Sequence, residues 1–198
     1  MFITIEGTEG SGKSTLIKAL KSSQNDFIKP VLFTREPGGS PIGGLIRKIL
    51  LEGEKLSAMA ELFLFLADRA EHVQMVIRPH LENHGLVICD RFTDSTLAYQ
   101  GYARELDVEQ LRLLNHHATG GLRPDLTIFM NIKPEESLKR CLKNDRMDKE
   151  SIEFHQKVYE GFLLESKKDP QRWFNVDATL SEKEISTMVT HKIISMLV

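Results

Sequence analysis

Residues 2–16 have the sequence FITIEGTEGSGKSTL, and this stretch decides the fold. Its first part, Phe2–Glu6, is mostly apolar and predicts a buried strand. The residues from Gly7 to Ser14 fit the pattern G-x-x-x-x-G-K-[ST], and a helical pattern runs from Ser14 to about Ser23. A glycine-rich turn between a strand and a helix lets backbone N–H groups approach a phosphate at the positive end of the helix. The stretch therefore predicts a phosphate-binding loop (P-loop) for a nucleoside triphosphate with Mg²⁺.

Each part of this loop has an expected task. Lys13 brings a full positive charge to the β- and γ-phosphates, the Ser14 hydroxyl can bind Mg²⁺, and Thr15 can contact a phosphate. The predicted triphosphate site is Gly7, Thr8, Glu9, Gly10, Ser11, Gly12, Lys13, Ser14 and Thr15.

Length and composition favour one ordinary globular domain over residues 1–198. Apolar residues make up 41% and charged residues 27%, and the formal net charge is −2, so no global basic field attracts a nucleic acid or a membrane. The longest wholly apolar run, Leu62–Ala67, is too short to span a bilayer, and we expect no signal peptide and a cytoplasmic location. Cys89 and Cys141 predict buried thiols, and His80 and His84 predict surface residues with no metal between them.

Strand patterns alternate with helix patterns along the whole chain. After Phe2–Glu6 we predict strands at Val31–Arg35, Leu86–Cys89, Leu126–Ile132 and Trp173–Val176. Alternation of this kind predicts an α/β fold in which a five-stranded parallel sheet is covered by helices on both faces.

Helix boundaries follow from capping residues. The predicted starts are Ser40 with Pro41 at the first helical position, Ser57, Asp107 with Gln110, Pro134, and Ser181 with Glu184. We expect the helix that starts at Ser40 to end near Glu52 and the one that starts at Asp107 to end near Ala118. The helix that starts at Ser57 should kink at Pro79 and end at Gly85. The polar segment 142–151, LKNDRMDKES, predicts either a solvated loop or a short mobile lid that carries charge.

Residues after the strands indicate the type of reaction. We find no Asn-Lys-x-Asp pattern for reading guanine, and the strand Leu86–Cys89 is followed by Asp90-Arg91, where a hydrolytic ATPase usually has Asp-Glu. Ligands of open α/β sheets lie at the carboxyl ends of the strands, where the P-loop, residues 36–39 and Asp90-Arg91 meet. We therefore expect a donor phosphate at Lys13, an acceptor phosphate at Arg91, and phosphoryl transfer between them.

Residues 90–101, DRFTDSTLAYQG, resemble the D-R-[YF]-x-x-S-[ST]-x-A-Y-Q signature of bacterial thymidylate kinases. The stretches TREPGG (34–39), FLFLADRAEH (63–72) and LRPDLTIF (122–129) are similar to that family too, so the resemblance extends over essentially the whole chain. It implies a P-loop NTPase fold and transfer of the γ-phosphate of ATP to dTMP, which gives dTDP and ADP for dTTP biosynthesis. It also implies a homodimer formed through the long helix 58–82.

The resemblance further implies a dTMP site. Its residues would be Arg35, Glu36, Arg47, Phe65, Arg69, Arg91, Ser95, Thr96, Tyr99 and Gln100. Arg91 and Arg47 would hold the phosphate, and Arg35 and Glu36 would flank the acceptor site. Phe65 would stack on thymine and Arg69 would bond its O4. Ser95, Thr96 and Gln100 would contact the remaining base edge. Tyr99 would pack under the deoxyribose, where a ribose 2′-hydroxyl would clash.

The resemblance also implies a catalytic set of Lys13, Arg91, Arg146, Arg140 and Glu9. Glu9 would lie near the sugar 3′-hydroxyl or the metal, and Ser14 and Asp90 are the candidate Mg²⁺ residues. The P-loop contains no basic residue before Lys13, so the lid has to bring the further cation. Its candidates are Arg140, Lys143 and Arg146, of which we rank Arg146 first because Arg146-Met147-Asp148 resembles the family's lid motif.

Two alternatives remain open on the sequence. The chain could be a kinase for a different nucleotide or deoxynucleoside, or a nucleotide-binding switch or regulatory ATPase with no small acceptor. Arg69 and Gln100 favour thymine, and Asp90-Arg91 favours a second anion over a hydrolytic water.

Overall fold

The computed structural model describes residues 1–141 and 145–197, and these contain the predicted parallel sheet. Its strands are β1 (Phe2–Glu6), β2 (Val31–Arg35), β3 (Leu86–Asp90), β4 (Leu126–Asn131) and β5 (Trp173–Asp177). They lie in the order β2-β3-β1-β4-β5, and all four pairings are parallel. The five strand predictions are confirmed to within a residue at either end.

The sheet is surrounded by helices that follow the strands in sequence. They are α1 (Lys13–Ser22), α2 (Gly43–Glu52), α3 (Ala58–His72), α4 (Arg78–Glu82), α5 (Thr93–Thr96), α6 (Val108–Thr119), α7 (Pro134–Ser137), α8 (Ile152–Lys168) and α9 (Glu182–Leu197). Ser57 caps α3 through the Ala60 N–H, and Asp107 caps α6, as the sequence predicts.

Side chains on the two faces of β1 enter different cores, which explains why Phe2, Ile3 and Ile5 are all apolar although they point to both faces. Ile3 and Ile5 pack with Leu16 of α1 and Val189 of α9. On the opposite face, Phe2 packs with residues of β3 and α4. No helix within 1–141 and 145–197 is both long enough and apolar enough to cross a membrane. Cys89 is buried, as predicted, but the prediction is wrong for Cys141, which is only half-buried.

The predicted start of α2 at Ser40 and Pro41 is wrong. These residues form a turn, in which the Gly43 N–H donates to the Ser40 carbonyl, and α2 begins at Gly43. A Cβ at residue 43 would lie 2.3 Å from Asp68 Oδ1 and 2.8 Å from Ser40 Oγ. The close approach of Asp68 therefore fixes a glycine at the first helical position, a constraint that local capping preferences do not contain.

The break in the long helix, expected as a kink at Pro79, begins earlier in the chain, at Val73. A π-helical turn, Val73–Ile77, joins α3 to α4, and Pro79 lies in the first turn of α4. A second π-helical segment, Leu97–Ala103, follows α5 and includes the last five residues of the predicted signature stretch, 97–101. Wider turns of this kind often occur at functional sites, and here the segment includes Tyr99 and Gln100.

Part of the predicted lid 142–151 is described. Residues 142–144, with the candidate Lys143, lie outside the described part of the chain. Residues 145–150 form turns, Met147 packs into the core with Phe154, and Ser151 caps α8. The described half of the lid is thus docked on the domain.

Candidate active site

Two cavities meet at the carboxyl edge of the sheet. The first, of about 280 Å³, lies between the P-loop, β3, α3 and the segment 145–148, and we call it the inner cavity. The second, of about 540 Å³, lies between the P-loop, Arg140 and the start of α9, and we call it the P-loop cavity. Lys13 and Ser14 line both. A ligand in either cavity therefore reaches the same ammonium group.

The P-loop holds Lys13 against its own backbone. Lys13 Nζ donates to the carbonyls of Gly7 (2.9 Å) and Thr8 (2.8 Å) and to Ser11 Oγ (3.4 Å). Burial and the repulsion of Arg91 lower the pKa of Lys13 to about 8. The cost of charging this buried amine means that a nearby anion would stabilise the ammonium strongly.

Gly10 brings the P-loop against the segment after β4. Its φ is +70°, and a Cβ there would lie 2.0 Å from the Ser137 carbonyl oxygen. Only glycine fits both the backbone conformation and the space. Among the predicted triphosphate residues, Gly10, Ser11, Gly12, Lys13, Ser14 and Thr15 line the P-loop cavity, Glu9 lines the inner cavity, and Gly7 and Thr8 bond Lys13.

Arg91 bonds the same carbonyl oxygen as Lys13. Its Nη1 donates to Gly7 O at 2.9 Å, equal to the distance from Lys13 Nζ, so the two cations are at most twice that distance apart. Arg91 has φ +67°, a left-handed conformation that costs a non-glycine residue about 1 kcal/mol. Its Nη2 donates to Glu9 Oε1 at 3.0 Å. Arg91 thus points towards Lys13 across a cavity, as the sequence predicts.

The carboxylate of Glu9 is enclosed by its partners. It accepts from Tyr99 Oη at 2.6 and 2.7 Å and from Arg91, and His155 Nδ1 lies 3.2 Å from its Oε2. Burial alone would raise the pKa of Glu9, but Arg91 and the other donors hold it well below the ordinary value. Glu9 is therefore a fixed negative charge at the junction of the two cavities.

Four cations lie close together at one end of the inner cavity. Arg35, Arg47, Arg91 and Lys13 line it beside the carboxylates of Glu9, Asp90, Asp145 and Asp148. Burial and repulsion from Arg35 lower the pKa of Arg47, whose Nη1 donates to the Pro37 carbonyl at 2.9 Å. Four cations that repel one another around a small cavity favour an anionic ligand there.

The other end of the inner cavity presents a flat ring and fixed donors. Half-buried Phe65 lines it one helical turn before Arg69. Arg69 is 2% exposed, and its Nε donates to Glu36 at 2.8 Å and its Nη1 to Thr96 at 2.6 Å. Its Nη1 also donates to Asn115, and its Nη2 to the Phe92 carbonyl. These bonds use four of its five N–H groups and fix the guanidinium at the cavity wall.

The structure brings the predicted acceptor residues together. All ten line the inner cavity: Arg35, Glu36, Arg47, Phe65, Arg69, Arg91, Ser95, Thr96, Tyr99 and Gln100. Their joint placement comes from four separate elements, namely β2, α2, α3 and the stretch after β3.

The two candidate lid cations have different surroundings. Arg140 lines the P-loop cavity and donates to the Ala178 carbonyl at 3.0 Å. Arg146, ranked first from the sequence, lines neither cavity; it donates to Glu61 Oε2 at 2.7 Å and to the Leu50 carbonyl at 2.9 Å. The structure therefore brings Arg140, and not Arg146, to the P-loop.

The candidate metal residues fit a hard divalent cation. Ser14 and Asp90 line the inner cavity together. Asp90 Oδ1 is buried with no hydrogen-bond partner among the described residues, so a carboxylate oxygen remains to bind a cation beside the Ser14 hydroxyl. Within the described ranges no group of three or more His, Cys, Asp or Glu side chains could hold a metal, so phosphate and water oxygens have to complete this site.

Comparisons with known proteins agree with this geometry. The thymidylate kinase family model matches residues 5–189. The chain is 49% identical to a thymidylate kinase of Synechococcus sp. over 186 residues, which cover 94% of the chain and 90% of the relative. It is 46% identical to one of Staphylococcus haemolyticus, with 90% and 89% covered. A crystal structure of the thymidylate kinase of Ehrlichia chaffeensis superimposes with a TM-score of 0.80 at 32% identity and covers 98% of both chains.

The chain belongs to the thymidylate kinase family. It is accordingly an ATP-dependent nucleoside monophosphate kinase with the P-loop kinase fold. The fold and family expected from the sequence are confirmed. The thymidylate kinase signature stretch, residues 90–101, starts where β3 ends and forms one wall of the inner cavity.

Sequence reasoning missed two buried carboxylates of this thymidylate kinase site. Glu6 accepts from the Phe92 N–H at 2.8 Å and from Ser95 Oγ at 2.5 Å, which holds the strained turn at Arg91. Glu61 bonds Gln100 and Arg146. The available signal was one acidic residue inside each apolar run, FITIE and AMAELFLFL.

Glu6 generates a pH-dependent prediction. Burial and the nearby Asp94 raise the pKa of Glu6 to about 7 in the folded chain. The proton on Glu6 therefore stabilises the fold at low pH, and this stabilisation is lost as the pH rises from about 4.5 to about 7. Glu6→Gln removes the titration. Relative to wild type, its free energy of unfolding should improve by up to about 3 kcal/mol between pH 5 and pH 8.

Urea unfolding of both proteins at several pH values measures this difference. The exposed Glu54→Gln is the control and should follow the wild-type curve at every pH. Parallel pH profiles for wild type and Glu6→Gln would contradict the role given to Glu6.

Proposed function

We propose that the chain transfers the γ-phosphoryl group of ATP to dTMP and releases dTDP and ADP. The observation that carries this is the junction of the two cavities, where Lys13 and Arg91 both donate to the Gly7 carbonyl oxygen. ATP would occupy the P-loop cavity and dTMP the inner cavity, so their phosphates would meet at that junction. The names of the relatives support dTMP as the acceptor.

In the transfer step, a phosphate oxygen of dTMP attacks the γ-phosphorus, and the bond from that phosphorus to the β,γ-bridging oxygen breaks. The electron pair goes to ADP, so the protein has to position two anions and neutralise their charge. Lys13 would leave the loop carbonyls for the β- and γ-phosphate oxygens. Arg91, Arg47 and Arg35 would hold the acceptor phosphate, whose repulsion towards ATP they reduce.

Glu9 and Asp90 would limit where these cations and the metal lie. Glu9 fixes Arg91 and Tyr99, and Tyr99 would then pack against the sugar. Ser14 and Asp90 would hold Mg²⁺, which neutralises phosphate charge when it is bound. The docked segment 145–148, which lines the inner cavity, would exclude water from the acceptor phosphate.

Three features of the inner cavity favour thymine among the bases. Phe65 offers an apolar ring face for stacking. Arg69 is a donor at every nitrogen and suits the thymine O4, whereas the amino group of cytosine would face it as a second donor. Gln100 lines the same cavity and is available for the base edge.

The proposed acceptor is tested by ADP release over dTMP, dCMP, dAMP and dGMP with ATP and Mg²⁺. We expect kcat/KM for dTMP to exceed that for each other nucleotide by at least about 100-fold, since a wrong hydrogen-bonding edge leaves buried groups unpaired. Equal turnover of several acceptors would indicate a different nucleotide kinase. Slow hydrolysis that no monophosphate stimulates would indicate a regulatory ATPase.

We propose Arg140 as the lid cation that acts beside the P-loop, ahead of Arg146. Its position in the P-loop cavity supports this, as does the pairing of Arg146 with Glu61. Lys143, the third candidate, lies outside the described residues.

Three variants separate these lid cations. Arg140→Met should lower kcat about 100-fold, since removing a transition-state cation commonly has an effect of that size. Arg146→Met should change kcat only a few-fold and mainly raise KM for dTMP, because Arg146 holds the segment that lines the inner cavity. Steady-state kinetics on both, with Lys143→Met alongside, measure the effect. A larger loss of kcat in Arg146→Met or Lys143→Met than in Arg140→Met would refute the choice of Arg140.

We also propose that the chain forms one domain with a lid at 142–151 and works as a cytoplasmic homodimer. Met59, Phe63 and Ala67 are exposed at helical spacing on α3, and the Phe63 side chain is 55% exposed. An apolar stripe of this kind suits a partner helix from a second copy. Cys89, a buried thiol outside any disulfide, suits a reducing compartment.

Phe63→Glu should convert the dimer to a monomer in sedimentation experiments, because it puts a charge into the apolar contact. Leu113→Glu on α6 is the matched control, since Leu113 is 56% exposed, and it should leave the dimer intact. A wild-type monomer, or a Phe63→Glu dimer, would exclude this interface.

A further inference from the structure

A buried carboxylate behind the base end of the inner cavity has no role yet. Glu61 lies in the first turn of α3 and is fully buried. Its Oε1 accepts from Gln100 Nε2 at 2.8 Å, and its Oε2 accepts from Arg146 Nη2 at 2.7 Å. Arg104 donates to both oxygens at 3.4 Å. Gln100, with hydrogen-bonding groups at both ends of its amide, is therefore fixed from behind by Glu61.

The protonation state of Glu61 decides which way this amide points. Burial alone would raise the pKa of Glu61, but Gln100, Arg146 and Arg104 together lower it, so the group is a carboxylate at neutral pH. A carboxylate only accepts hydrogen bonds, so the Gln100 amide has to turn its NH₂ group towards Glu61. Gln100 lines the inner cavity, so its carbonyl oxygen is left for that side, and the hydrogen bonds of the described residues include none to that oxygen.

We propose that Glu61 is a positioning residue that sets base specificity by holding the carbonyl oxygen of Gln100 towards the acceptor base. The inference rests on the proposed function. A carbonyl oxygen at this place accepts from the N3–H of thymine, whereas it faces the lone pair of N3 in cytosine. Glu61 thus rejects cytosine without touching the base, through the orientation of one amide.

The surroundings of Glu61 make its amide variant a sharp test. In Glu61→Gln, one oxygen becomes an NH₂ group. In the place of Oε2 that group would face donors from both Arg146 and Arg104, whereas in the place of Oε1 it would face Gln100 and only the long contact from Arg104 Nε. It therefore faces Gln100, whose amide turns round and directs its own NH₂ group into the inner cavity.

The measurement is the ratio of kcat/KM for dTMP to kcat/KM for dCMP, each resolved into kcat and KM. In Glu61→Gln the ratio should fall at least about tenfold, with KM for dTMP raised and KM for dCMP lowered, because the cavity now offers a donor to position 3 of the base. A variant that merely loosens the structure would weaken both acceptors alike and leave the ratio unchanged.

A rescue and a control complete the test. In the double variant Glu61→Gln with Gln100→Glu, the carboxylate at position 100 again offers only acceptors to the base, so the ratio should return towards the wild-type value. Arg104→Met removes another partner of Glu61 but keeps the carboxylate and the Gln100 bond, so it should keep the wild-type ratio. If Glu61→Gln does not fold, the same ratio is measured in Glu61→Met. It also removes the acceptor that fixes the amide and should also lower the ratio.

The outcomes distinguish this inference from the proposed function. A wild-type chain that does not prefer dTMP to dCMP would overturn the proposed function. A wild-type preference for dTMP that persists unchanged in Glu61→Gln or Glu61→Met would overturn the inference alone. If the ratio falls as much in Arg104→Met as in Glu61→Gln, the effect comes from general disturbance of the buried charges. That result would overturn the inference too.

Discussion

The carbonyl oxygen of Gly7 is the point on which the site depends. It accepts hydrogen bonds from Lys13 and from Arg91, which follow two different strands. The parallel pairing of β1 and β3 sets Ile5 opposite Asp90, so the P-loop and Arg91 leave the sheet at the same level. Two like charges are held close together at this oxygen. Such an arrangement is unfavourable by itself, and it becomes favourable when phosphate oxygens lie between the cations.

Buried carboxylates keep this arrangement in place. Glu6 bonds the backbone after Arg91, Glu9 bonds the Arg91 side chain, Glu36 bonds Arg69, and Glu61 bonds Gln100. Glu6 and Glu61 lie behind residues that line the inner cavity, whereas Glu9 and Glu36 line it themselves, and each of the four fixes a donor or an amide in one orientation. The cavity surface is therefore preorganised by buried acids.

The sequence was sufficient to predict the fold and the ten acceptor residues that line the inner cavity. Strands buried on both faces give apolar runs, and the P-loop glycines have a local cause, so both are visible in one sequence. The surroundings of Arg69 were not predictable, because its partners Glu36, Thr96 and Asn115 come from three distant parts of the chain. The glycine at the start of α2 has the same origin, since Asp68, which is distant in the sequence, leaves no room for a Cβ there.

The central claim is that two nucleotides meet head to head across the Gly7 carbonyl. A ligand that joins adenosine and thymidine through a chain of five phosphates tests it most directly in inhibition kinetics and calorimetry. The account predicts competition with both ATP and dTMP, one ligand bound per chain, and strongly weakened binding in both Lys13→Ala and Arg91→Ala. Competition with only one substrate, or binding that Arg91→Ala leaves unchanged, would contradict the claim.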